Sequence, residues 1–161
     1  MSLSIHRARR DQSGLIHSLL CELAEYEKLS HEVEATEAGI AAALFGEKPR
    51  LFCEIAEWNG EGVGLAVWFH NFSTFSGRPG IYLEDLFVRP AFRGRGIGKA
   101  LLSHLARLGI EQGCSRLQWS VLDWNTPSID FYKSLGAVMM DEWTVCRVSG
   151  EALRKLAKAL P

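Results

Sequence analysis

The chain has 161 residues, 47% hydrophobic and 23% charged, which fits one soluble globular domain spanning 1–161 with a self-sufficient core. Eighteen Lys and Arg against nineteen Asp and Glu leave a formal net charge of -1, whereas a duplex nucleic-acid binder carries a large basic excess. No apolar run approaches the ~18 residues of a membrane span, and Met1 to Arg10 lacks the apolar stretch of a signal peptide, so a cytoplasmic protein with neither nucleic acid nor membrane as partner is expected.

Leu3 to Arg7 alternates and predicts a short strand. From Asp11 to Glu27, apolar residues at Leu15, Ile16, Leu19, Leu20, Leu23 and Ala24 recur with helical spacing. Thr36 is placed to cap a second helix that runs through Phe45 and stops at Gly46. Leu51 to Trp58 and Val63 to Phe72 are strand-like, and Asn59-Gly60-Glu61-Gly62 between them predicts a hairpin. A Gly/Pro/Ser loop, Ser73 to Gly80, leads into a strand from Ile81 to Val88. Gly96 to Gln112 reads as a helix with Leu101, Leu102, Leu105, Leu108 and Ile110 on its inner side, and Arg116 to Leu122 as a strand. Pro127 opens a short helix ended by Gly136. A last strand is expected from Trp143 to Ser149, then a helix from Glu151 to Leu160. Strands and helices mix around a central hairpin, which predicts an α+β (mixed α/β) sheet rather than a pure βαβ array.

Several chemistries lack their residues. Cys21, Cys53, Cys114 and Cys146 are far apart in apolar segments, as buried reduced thiols would be. The histidines form no H-E-x-x-H and no i, i+4 pair, so no metal site is expected. There is no G-x-S-x-G elbow for a serine hydrolase.

The informative stretch is Arg93-Gly94-Arg95-Gly96-Ile97-Gly98-Lys99, between a predicted strand and a predicted helix. Alternate glycines let the backbone approach a ligand and direct successive N–H groups into one concavity; a helix N-terminus behind it makes a phosphate site. Arg95 and Lys99 add positive charge. A dinucleotide fingerprint would need glycine at 99, where Lys stands, and a P-loop would need glycine at 93 and Ser or Thr at 100, where Arg and Ala stand. What fits is R-x-x-G-x-G, read as Arg93, Gly96 and Gly98.

That signature resembles the pyrophosphate-binding turn of the GNAT acetyltransferase superfamily. Tyr82 to Val88, Asp123-Trp124-Asn125-Thr126-Pro127-Ser128, Phe131-Tyr132-Lys133 and Leu135-Gly136-Ala137 are similar to the diamine acetyltransferase family, which contains the spermidine/spermine N-acetyltransferases. Glu22 to Glu27 and Phe45-Gly46-Glu47 extend the likeness over nearly the whole chain. Leu122 to Asn125 and the ending Gly150 to Ala157 look more like the branch that acetylates thialysine, and the connection from Gly136 to Trp143 is shorter than in the polyamine enzymes.

The resemblance implies a central, mostly antiparallel twisted sheet flanked by helices, acetyl-CoA as co-substrate, a small cationic amine as acceptor and a homodimer. It places Leu86, Phe87 and Val88 against pantetheine, and Arg93, Gly94, Arg95, Gly96, Ile97, Gly98 and Lys99 around pyrophosphate. Asn125, Ser128, Tyr132 and Lys133 are further cofactor contacts. Tyr26 and Glu27 match the family's substrate pair, with Glu84, Asp85, Asp141 and Glu142 as further substrate-side residues. An amine of pKa near 10.4 is neutral in only about one molecule per few thousand at pH 7, and only that form attacks a thioester. The site must accept a proton on one side, given by resemblance to Glu84, and supply one to the thiolate on the other, given to Tyr132. Regular alternation would send Glu84 and Asp85 to opposite faces of their strand, with Asp85 either structural or functional. A protein-lysine or peptide acetylator and a non-catalytic CoA-binding module are the competing readings.

Overall fold

The computed structural model describes residues 1–159. The chain forms two compact units, residues 1–120 and 121–161. The first contains β1 (Leu3–Arg7), α1 (Ser13–Tyr26), α2 (Glu37–Phe45), β2 (Phe52–Trp58), β3 (Glu61–Ser73), β4 (Arg78–Val88), α3 (Ile97–Glu111) and β5 (Leu117–Gln118). The strands lie in the order β1-β2-β3-β4-β5; the first four are antiparallel, and β5 runs parallel to β4.

Local chemistry sets most boundaries. Thr36 accepts a hydrogen bond from the Gly39 amide and caps α2, and Gly46 follows its last residue. Asn59 and Gly60 have φ of 51° and 83°, the left-handed pair of a two-residue turn whose twist matches that of the β2–β3 hairpin. The sheet is covered on both sides. Ile16, Leu19 and Leu23 of α1 with Ile40 and Leu44 of α2 pack against Cys53, Ile55, Leu65, Val67 and Phe87. Alternate residues face α3: the Trp68 indole donates to Glu54 over 3.2 Å, and Glu54 in turn meets His104 of α3.

The second unit holds α4 (Thr126–Ser134) and α5 (Gly150–Lys158). Pro127 sits in the first turn of α4, as the helix-start pattern predicts. Two expected strands differ. The one predicted over 116–122 is confined to Leu117–Gln118, and the one predicted over 143–149 does not form among the described residues. A strand persists only when its N–H and C=O groups find a ladder; this stretch has the alternation without a ladder, and Trp143 and Val145 are exposed. The expected last helix begins at Gly150 and ends at Lys158, and its predicted end, Leu160, lies outside the described residues. Ile110 is exposed rather than inward, because the buried stripe of α3 runs through Ile97, Leu101, Leu105 and Gly109, one residue short of it. Of the four thiols only Cys53 is buried, and Cys146 is exposed.

Candidate active site

The site elements of the first unit meet where β4 ends. Here the ladder with β3 slips: Val67 faces Asp85, but its neighbour Trp68 faces Leu83, leaving Glu84 as the extra residue of a β-bulge. Residues opposite one another across a ladder share a face. Asp85 therefore lies on the side of Val67, toward α1 and α2, while Leu83 shares the α3 side with Trp68. The alternation expected for Glu84 and Asp85 is interrupted at this point. Glu84 is exposed and Asp85 half-buried.

Burial, with the nearby Glu84 and Glu27 carboxylates, pushes the Asp85 carboxyl up to about 7. Glu27 closes α1 as its C-cap, and desolvation raises its carboxyl as well. The Cys53 thiol is pushed up by burial and by the neighbouring Glu54 and Asp85 charges. Among the described residues, none of Glu27, Glu84 and Asp85 has an ion pair.

Arg89, which the sequence reading passes over, fixes this corner. Its Nε donates to Glu22 Oε2 over 3.0 Å, its Nη2 to Oε1 over 2.9 Å, and its Nη1 to the Gly62 carbonyl over 3.0 Å. These bonds hold the Glu22 carboxyl below its usual range and tie α1, with Tyr26 and Glu27 at its end, to the ends of β3 and β4.

Beyond Arg89 a short turn, Pro90–Phe92, leads into the glycine stretch. Gly94 and Gly96 have φ of 74° and 78°, in the left-handed region that favours glycine. Gly96 caps α3 without any side-chain hydrogen bond, so the first amides of a fifteen-residue helix face outward uncapped. This is the physical fit to a pyrophosphate: backbone donors, a helix N-terminus and the exposed Lys99. Arg93 is otherwise engaged. Its Nε donates to the Val88 carbonyl over 2.9 Å, and its guanidinium lies 4.6 Å from the centre of the Tyr26 ring and 5.7 Å from that of Phe87. Arg95 lies over Trp58 and Phe92, each at 5.3 Å. Leu86 and Val88 are half-buried and Phe87 is in the core, which leaves the β4 backbone beyond the bulge as their shared asset.

In the second unit, Asn125 is buried and accepts from the Ser128 amide over 3.4 Å, capping α4. Tyr132 is buried on α4, its ring 5.4 Å from that of Phe131, and Lys133 is exposed on the next position. Asp141 and Glu142 are exposed in the stretch without regular structure.

The acetyltransferase (GNAT) family profile matches residues 15–137. The chain belongs to the GNAT acetyltransferase family. It is 42% identical to the thialysine N-epsilon-acetyltransferase of Bos taurus, over 95% of this chain and 96% of that one. It is 29% identical to the L-ornithine N5-acetyltransferase of Arabidopsis thaliana, over 89% and 82%. Among solved structures, an integron cassette protein from V. cholerae superposes with a TM-score of 0.80 at 32% identity, covering 99% of both chains. An aminoglycoside N-acetyltransferase in complex with CoA shares the fold, with a TM-score of 0.73 at 21% identity, covering 93% and 95%. This GNAT protein is an N-acetyltransferase, with the mixed α/β sheet and flanking helices that the sequence predicts.

Proposed function

We propose that this enzyme transfers the acetyl group of acetyl-CoA to a primary amine of a small cationic acceptor, a thialysine-like amino acid or a diamine, by direct attack in a ternary complex. The observation that carries the reading is the group of uncompensated carboxylates, Glu27, Glu84 and Asp85, one strand-end away from the glycine turn. Negative charge without a protein cation favours an ammonium, and Tyr26 beside Glu27 adds an aromatic face. Thialysine and L-ornithine, the acceptors of the bovine and plant relatives, agree with that chemistry.

Pyrophosphate is held by the amides of Gly94 to Lys99, with Arg93 and Arg95 bracing the turn, and pantetheine runs along Leu86 to Val88. By the same resemblance, Asn125, Ser128 and Lys133 are further cofactor contacts. The carboxylates at the bulge hold the ammonium and receive its proton, a task the resemblance gives to Glu84, while Asp141 and Glu142 contribute long-range attraction. Tyr132 donates a proton to the departing thiolate. The enzyme is cytoplasmic and a homodimer in this reading; exposed Val138, Met140, Trp143 and Val145 form the kind of apolar set that a second copy covers.

The test is a scan of cationic and neutral primary amines with acetyl-CoA, following thiol release. Thialysine, ornithine and diamines should turn over, and neutral arylamines should not. Equal rates with arylamines would refute the cationic-acceptor assignment, and no release with any amine would refute acetyl transfer to small amines.

A further inference from the structure

Of the two adjacent carboxylates on β4, the sequence and the resemblance favour Glu84 for proton acceptance, but the bulge gives them different surroundings. Glu84 is the extra residue and stands in solvent. Asp85 is turned inward beside Val67. The groups that face it are Glu84 on its own strand, Glu27 from the end of α1 and the Cys53 thiol from β2. All three are neutral or negative. Among the described residues no hydrogen bond to the Asp85 carboxylate from the protein is present, and the arginines that follow it in the chain are engaged elsewhere, Arg89 by Glu22 and Arg93 by Val88 and Tyr26.

We infer that Asp85 is the catalytic base of this enzyme: its carboxylate takes the proton from the acceptor's ammonium, while Glu84 and Glu27 hold that ammonium in place. The inference rests on the acetyl-transfer reading above. The step balances simply. The N–H bond of the ammonium breaks and its proton passes to an Asp85 oxygen, leaving a lone pair on nitrogen. That lone pair forms the C–N bond as the C–S bond breaks. Tyr132 protonates the thiolate and the second amine proton replaces the one it gave, leaving amide and free thiol, and Asp85 later returns its proton to water. The raised affinity of Asp85 for protons suits this role, since a base near 7 is ionised in about half of the molecules at neutral pH and is still strong enough to compete for the proton.

The experiment is the pH dependence of kcat/KM for a cationic amine, in the wild type and in Asp85→Asn, Glu84→Gln and Glu27→Gln, with acetyl-CoA binding followed by the shift in melting temperature. Wild-type turnover is the reference, and its absence would overturn the acetyl-transfer reading instead of the assignment of the base. Asp85→Asn should lower kcat by about 10²–10⁴-fold and abolish the rise in rate near pH 7, with the acetyl-CoA melting shift retained. Glu84→Gln and Glu27→Gln each remove a negative neighbour, so each should raise KM for the amine and move that rise to lower pH. These two variants leave Asp85 in place and report on it whether or not the Asn protein folds. The assignment is overturned if Asp85→Asn keeps kcat within about threefold, or if the rise vanishes in Glu84→Gln, or if neither Gln variant moves it.

Discussion

A base held in an unfavourable setting has a thermodynamic signature that activity does not report. Asp85 has an ordinary value of 3.8 and is pushed up to about 7 by burial and the charges of Glu84 and Glu27. At ~1.4 kcal/mol for each factor of ten in proton affinity, its ionised form costs the fold about 4 kcal/mol as a ceiling. The carboxylate is only half-buried, so water moderates that cost, and about 1–3 kcal/mol is the expected magnitude. Asp85→Asn keeps the shape and removes the charge. Well below pH 4 the acid is protonated in folded and unfolded chains alike, and the substitution should be nearly neutral. As pH rises from 4 to 7, the unfolded chain releases the proton while the folded chain keeps it. Wild-type stability therefore falls through this window, and the advantage of the Asn variant grows to its full size above pH 7. For a chain of this length each kcal/mol moves the melting point by roughly 2–4 °C. Urea unfolding of both proteins at about pH 4.5 and pH 8.5 measures the effect. A variant that is less stable at high pH, or equally more stable at both, would refute the argument that Asp85 carries an uncompensated charge.

Tyr132→Phe deletes one hydroxyl and retains the buried ring against Phe131; kcat should fall by about 10²-fold or more in single-turnover measurements, with acetyl-CoA affinity and melting point little changed, and full kcat would make Tyr132 a packing residue. Trp143→Asp places a charge in the exposed apolar set of the second unit; if a second copy covers that set, light scattering should show a monomer where the wild type is a dimer, and an unchanged mass would refute the placement of the interface.

What was legible in the sequence was local chemistry. Asn59-Gly60 specifies its turn because those two residues tolerate positive φ, and Thr36 with Gly46 brackets α2 for reasons contained within the helix. The glycine turn likewise declares itself, since Gly94 and Gly96 adopt the backbone that only their lack of a side chain makes easy. The bulge at Glu84 was not legible. It is a relation between β3 and β4, visible only when Val67 is found opposite Asp85 and Trp68 opposite Leu83. The Arg89–Glu22 clamp joins residues 67 apart, and no spacing rule reaches that far. At Trp143 to Ser149 the pattern was present but its consequence was not, because alternation predicts a strand only where a neighbouring ladder exists.

The same sheet contains a control for the reading of Asp85. Glu54, on β2, is buried more deeply, yet it receives the Arg7 Nε at 2.7 Å and the Trp68 indole at 3.2 Å, and the His104 Nε2 lies at 3.2 Å. Arg7 itself lies over the rings of Phe52 and Trp68, 4.9 and 5.2 Å from their centres. This fold is therefore able to bury a carboxylate and satisfy it completely on its α3 side. On the α1 side it turns a second carboxylate inward, sets Glu27 near it, and engages the neighbouring arginines with other partners. A structural carboxylate in that position would be stabilised by one cation or two amide donors, as Glu54 is. Lacking them, Asp85 is stabilised when an ammonium enters, and its proton affinity falls as that positive charge approaches. Once the proton has passed from the ammonium to Asp85, both charges are gone together and the carboxyl is left neutral, the form its buried, negatively charged surroundings favour.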